Sequence, residues 1–162
     1  EYQMGKKELN LQVADWYALR TRPKSERMVG RRLEMECVDY YIPRAGIKRR
    51  WSDRVKRLDT PLLGNIVLVN CNRLRLGYLS SVKGVLGVVK SGEVPLVISP
   101  ESVEALREFE RVAEGSFLVD EGVIDRTMGL KWNKRGREVV KVDDEHYYLF
   151  IPELDVMVCI EK

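Results

Sequence analysis

Pro61-Leu62-Leu63-Gly64-Asn65-Ile66-Val67-Leu68-Val69 is the stretch from which the fold can be read. Leu62–Val69 reads as a strand in which Ile66 to Val69 are continuously apolar, as in a strand covered on both faces. Alternation puts Ile66 and Leu68 on one face and Val67 and Val69 on the other, so that one pair can be core and the other exposed. On its C-terminal side, Asn72 can cap a helix over Arg73–Val82, with Leu74, Tyr78, Leu79 and Val82 at helical spacing and Gly84 as its stop. On its N-terminal side, Ile47–Trp51 and Val55–Leu58 flank Ser52-Asp53-Arg54 and read as a basic hairpin.

Further out, Asp15–Arg20 and Cys37–Pro43 read as strands, the first ended by Thr21-Arg22-Pro23. Between them, Lys24–Glu36 has Met28, Val29 and Leu33 near helical spacing, with Pro23 placed to open the helix. Gly30 inside that helix costs about 1 kcal/mol relative to Ala, which close packing against a sheet would justify. Val85–Lys90 and Val94–Ile98 are two more strands around Ser91-Gly92-Glu93. Ser99-Pro100 then starts a helix whose apolar stripe is Val103, Leu106, Phe109 and Val112 or Ala113. This order describes an α+β domain over residues 14–113, helices flanking an antiparallel-rich sheet. Beyond Glu114-Gly115 come short β-prone runs, Phe117–Val119, Val123–Ile124, Glu138–Val142, His146–Ile151 and Val156–Ile160, which predict a small all-β, barrel-like domain over residues 116–162. A core that small is marginal alone and is expected to pack on the first domain.

The 162 residues include 28 Lys or Arg and 25 Asp or Glu, a net of only +3. At this length folding buries roughly 68–70% of the unfolded surface, enough for a core without disulfides. Cys37, Cys71 and Cys159 are odd in number and far apart, which excludes a disulfide framework and a CxxC site and suits a reducing cytoplasm. With His146 as the only histidine, a two-histidine metal site and a histidine triad are set aside. There is no GxGxxG, Walker or GxSxG motif, and no apolar run near the roughly 20 residues of a membrane span. The expectation is a cytoplasmic protein that is not an enzyme and uses no metal or cofactor.

The small net charge hides an asymmetry. From Arg20 to Arg57 there are 13 cations against 5 acids, or +8, whereas from Ser99 to Asp125 there are 8 acids against 2 cations, or −6. Cations at that density attract phosphates and release counterions, which points to nucleic acid. The acidic stretch could in turn hold part of the basic face by charge attraction.

Trp16-Tyr17 opening a strand, the helix Pro23–Leu33, Tyr41-Ile42-Pro43, the run Pro61–Val69, and Val82-Lys83-Gly84-Val85-Leu86-Gly87-Val88-Val89 followed by Gly92, Pro95 and Val97-Ile98 together resemble the NusG N-terminal domain over about 95 residues. Within that family, Leu62–Val69 and the insert before Pro95 are most similar to the specialised RfaH and UpxY paralogues. The resemblance implies a bacterial transcription elongation or antitermination factor that binds the β′ clamp helices of RNA polymerase and contacts the non-template DNA strand or nascent RNA. The alternative is a general RNA- or DNA-binding module without polymerase contact. By position, the polymerase patch would be Leu63, Ile66, Leu68 and Val103. The resemblance puts nucleic-acid contacts at Arg22, Arg75 and Lys83; the hairpin adds Lys48, Arg49, Arg50 and Arg54, with Trp51 able to stack on an unpaired base. Gly115, Gly122, Gly129 and Gly136 do not reproduce the glycine spacing of the family's C-terminal KOW barrel, so contact with a ribosomal protein or with Rho through the tail is not expected.

Overall fold

The computed structural model describes residues 13–50, 52–118, 140–141 and 146–161. The chain divides into two compact units, Glu1–Ile42 with Leu63–Ser99, and Pro43–Leu62 with Pro100–Lys162. Neither is a continuous run, and residues 14–113 contribute to both. Among the described residues no helix is long and apolar enough to cross a membrane.

The first unit is built around strand β5 (Ile66–Asn72), which pairs antiparallel with β1 (Ala14–Thr21) on one side and β2 (Asp39–Tyr41) on the other. Ala18 lies opposite Leu68 and Leu19 opposite Val67. On its outer side β1 pairs with β6 (Val85–Val88) and β9 (Val97–Ile98). Helix α1 (Glu26–Met35) packs against β2 and β5, and α2 (Arg73–Leu79) against β5. Together they form a core of Tyr17, Leu19, Val29, Leu33, Val38, Val67, Val69, Cys71, Leu76 and Leu79. Ala18, Ile66, Leu68 and Ile98 belong to the other face of the sheet and are buried as well. The apolar run is thus a strand covered on both faces, and its alternation does not leave one pair exposed.

Local differences from the sequence reading have identifiable causes. Lys24 adopts φ 59°, so α1 begins at Glu26 rather than directly after Pro23. Asn65 adopts φ 61° and makes Leu62–Asn65 a turn, which moves the start of the strand to Ile66. The strand runs on to Asn72 because Cys71 is also buried in the core. Asn72 caps α2, its Oδ1 accepting from the Arg75 N–H at 3.0 Å.

Two glycines make opposite predictions. A Cβ on Gly30 would lie 2.8 Å from Tyr40 Cε2 and 3.1 Å from Ile42 Cδ1, which is the close helix–sheet approach its position implied. Gly30→Ala is therefore expected to destabilise, by up to about 2 kcal/mol, because overpacking outweighs the gain in helix propensity. A Cβ on Gly77, exposed in α2, would meet nothing within 4 Å. Gly77→Ala is expected to stabilise by about 0.5–1 kcal/mol. Urea unfolding midpoints of the two variants should move in opposite directions.

The second unit contains the hairpin β3 (Arg44–Arg50) and β4 (Val55–Pro61), helix α3 (Pro100–Ala113), and the strands after it. Its six-stranded sheet includes β10 (Phe117–Leu118), β11 (Val140–Lys141), β12 (His146–Ile151) and β13 (Val156–Glu161), in the order β11-β12-β13-β10-β3-β4. The hairpin is therefore continued by C-terminal strands rather than by β5, its neighbour in sequence. A separate two-stranded ribbon, β7 (Lys90–Ser91) with β8 (Val94–Pro95), belongs to the first unit. Helix α3 packs against β3 and β12, and its stripe Val103, Leu106, Phe109 and Ala113 is buried. The expected strand Val123–Ile124 lies outside the described residues.

Candidate nucleic-acid interface

In the first unit, the turn after β1 meets the turn before β6. The Arg22 N–H donates to the Gly84 carbonyl at 2.9 Å, and Arg32 Nη1 donates to the Lys83 carbonyl at 2.6 Å. Gly84 makes this approach possible: its φ is +99°, and a Cβ there would lie 2.9 Å from Val29 Cγ2. Arg22, Lys24 and Lys83 are exposed around this junction. The nearest acid in sequence, Glu26, is buried, its Oε1 accepting from the Asn65 N–H at 2.8 Å. The junction thus presents solvated cations, an arrangement suited to phosphate.

Arg75 is not brought to that group. It is half-buried on α2, and its Nη2 reaches the C-terminal end of α1, donating to the Glu36 carbonyl. Tyr78 donates to Glu36 Oε1 at 3.0 Å, and this hydrogen bond, together with the carboxylate's charge, raises the pKa of the phenol. Arg75 thereby ties α2 to α1, a structural task that its sequence position did not disclose.

The other cations lie on the hairpin, in the second unit. Lys48 and Arg50 share a face of β3, while Arg49 faces the other way and is exposed; Arg54 is exposed near the hairpin turn. Trp51 lies outside the described residues. Lys48 Nζ is 5.6 Å and Arg50 Cζ 4.2 Å from the centre of the Phe117 ring. Arg50 Nη2 also pairs with Glu161 Oε1 at 3.2 Å, and His146 Nε2 lies 3.9 Å from Glu161 Oε2. Arg57, opposite Lys48 in the register, pairs with Glu114. The hairpin carries the cations that were expected, but several are already engaged by acids or an aromatic ring. Glu114, which belongs to the acidic stretch, was open to that inference. Phe117 and Glu161 were missed, because only the strand register places them beside Lys48 and Arg50.

All four residues of the expected polymerase patch are buried. Leu63 is 2%, Ile66 8%, Leu68 0% and Val103 2% exposed. The first three belong to the first unit and Val103, on α3, to the second. The Leu62–Asn65 turn is pinned by Glu26 and by the Thr21 N–H, which donates to the Asn65 carbonyl at 2.8 Å.

Burial raises the pKa of the Cys71 thiol, so this cysteine should be inert. Cys37 is exposed and Cys159 buried. Brief alkylation of the folded protein followed by mass spectrometry should label Cys37 and leave the other two; equal labelling of all three would contradict the packing.

Compared with known proteins, residues 14–107, more than half of the chain, match the family model described as "Transcription termination factor nusG". No curated protein matches the sequence. A solved structure described as "Domain interaction in Thermotoga maritima NusG" is 14% identical, covering 92% of this chain and 93% of that one with a TM-score of 0.51, a likeness of fold. Another, described as "Crystal Structure of MjSpt4:Spt5 complex conformation A", is 17% identical over 90% of this chain and 92% of that one, with a TM-score of 0.36.

Proposed function

The chain belongs to the NusG family, and from that premise we propose that it is a cytoplasmic, non-catalytic transcription elongation or antitermination factor. It binds RNA polymerase at the β′ clamp helices and contacts the non-template strand, which shortens pauses or suppresses termination. The observation that carries this reading is the family match over residues 14–107, which spans the strand bearing Ile66 and Leu68, the turn before it with Leu63, and the cation junction at Arg22 and Lys83. Specialisation of the RfaH or UpxY kind, acting on particular operons, is part of the proposal.

The burial of Leu63, Ile66, Leu68 and Val103 sets a condition on their role. A partner can engage them only after they are uncovered, so polymerase binding is expected to be slower than docking onto a preformed patch. Arg22, Lys24 and Lys83 need no such step. Replacing Arg22 and Lys83 by Ala should weaken binding to single-stranded DNA and lower the slope of log K against log salt by about 1.4, two contacts at roughly 0.7 each. An unchanged slope would remove this junction from the interface.

Transcription on a template with defined pause sites tests the proposal. Addition of the protein to cognate core polymerase should shorten pauses, and no change at saturating protein would refute it. If the protein bound DNA with a salt-dependent affinity and never associated with polymerase, the general nucleic-acid module would be the better reading.

A further inference from the structure

The basic hairpin is bound along one edge by five residues that follow α3. The helix ends at Ala113, Gly115 turns the chain with φ +77°, and Ser116 closes the turn with its N–H on the Ala113 carbonyl at 2.9 Å. From there the segment runs parallel to β3. Glu114 Oε2 accepts from the Gly46 N–H at 2.8 Å, the Gly115 N–H donates to the Gly46 carbonyl at 2.9 Å, and the Lys48 N–H donates to the Ser116 carbonyl at 2.8 Å. Its side chains occupy the same cations that could meet phosphate: Glu114 takes Arg57, and the Phe117 ring lies under Lys48 and Arg50.

From this we propose that Glu114–Leu118 is a strap that withholds hairpin cations from polyanions, and that its release from β3 admits a single-stranded nucleic acid to Lys48 and Arg57, while Arg50 keeps its pair with Glu161 of β13. The proposal rests on the nucleic-acid reading of the hairpin. Three features make the strap releasable. Its pairing with β3 is short, with only Phe117 in register opposite Lys48, while its other edge is held by β13 and stays in place on release from β3. Its ion pair is exposed, with the Arg57 and Glu114 side chains 58% and 51% accessible, and such pairs are weak and screened by salt. A phosphate backbone offers the same cations several charges at once and gains by counterion release. The strap lowers affinity without abolishing it, since Arg49, which faces the other way, remains exposed.

The test compares the full chain with Glu114→Gln/Phe117→Leu, using fluorescence anisotropy of a labelled oligothymidylate over a range of salt. The variant is expected to bind roughly tenfold tighter at low salt, with a slope of log K against log salt steeper by about 1.4, two added cations at roughly 0.7 each. Adding Lys48→Ala and Arg57→Ala should cancel most of that gain. Amide exchange guards against misfolding: Gly46 and Lys48 should exchange faster in the strap variant while the β12–β13 amides keep their protection. Unchanged affinity and slope in a folded variant, with the parent still binding in a salt-dependent way, would overturn the strap alone. Weaker binding would overturn it too, by making Phe117 a platform on which bases stack. If neither protein bound with any dependence on Lys48 and Arg57, the nucleic-acid reading of the hairpin would fall, and the strap with it.

Discussion

Leu68→Asp is expected to leave the first unit unfolded at room temperature. Leu68 is fully buried in the central strand β5, opposite Ala18, which is fully buried too. Leu68→Ala already removes a packed side chain at a cost of about 2–5 kcal/mol. A carboxylate there would be an unpaired buried charge, and with no partner opposite to neutralise it the loss should exceed about 4 kcal/mol. Against a typical stability of about 5–15 kcal/mol that is enough to abolish folding or come close to it. Circular dichroism and urea unfolding measure it. A native-like Leu68→Asp that loses only polymerase binding would show that this face of the sheet is open in solution. The milder Leu63→Gln and Ile66→Gln can then separate binding from folding, since both sit at the turn end of the strand.

The second large effect is on a chain that ends at Ala113, which is expected to lose the structure of its second unit. Truncation there removes β10, β11, β12 and β13, four of the six strands in the sheet that the hairpin joins. Ile47, Leu106 and Phe109 are fully buried in the intact protein, and α3 packs against β12 as well as β3. Full burial of one such side chain contributes about 1.5–3 kcal/mol, so exposing two of them consumes much of a marginal stability. Chain order alone suggests a different outcome, because residues 14–113 read as one domain followed by a tail. Backbone amide spectra decide: resonances of β3, β4 and α3 should collapse toward random-coil positions in the truncated chain. Retained dispersion for those elements would mean that they fold without the strands beyond Ala113.

The contrast between these two predictions marks what the sequence could disclose. The continuous apolar run at Ile66–Val69 has one physical meaning in an α+β chain, and it led to β5, to the antiparallel sheet and to the helices on it. Asn72, Gly30 and Ser99-Pro100 are local signals whose physics acts within a few residues, and each marked its element correctly. The placement of the hairpin was hidden, because β3 pairs with β10 about 70 residues later along the chain, through a register that only tertiary structure sets. The candidate site was half legible for the same reason. The density of cations from Arg20 to Arg57 is a property of composition, whereas the engagement of Arg50 by Glu161, of Arg57 by Glu114 and of Arg75 by the Glu36 carbonyl depends on distant parts of the chain. The alternation of Ile66 and Leu68 with Val67 and Val69 gave the two faces, but no local pattern reports that both are covered.

The central claim is that this chain binds RNA polymerase, and association of the purified full chain with cognate core polymerase tests it most directly. Biolayer interferometry with immobilised polymerase should give saturable one-to-one binding at micromolar concentration or below, reduced at least tenfold by a folded Ile66→Gln variant. A well-folded protein that shows no association with the polymerase, in the presence or absence of a nucleic-acid scaffold, would contradict the account.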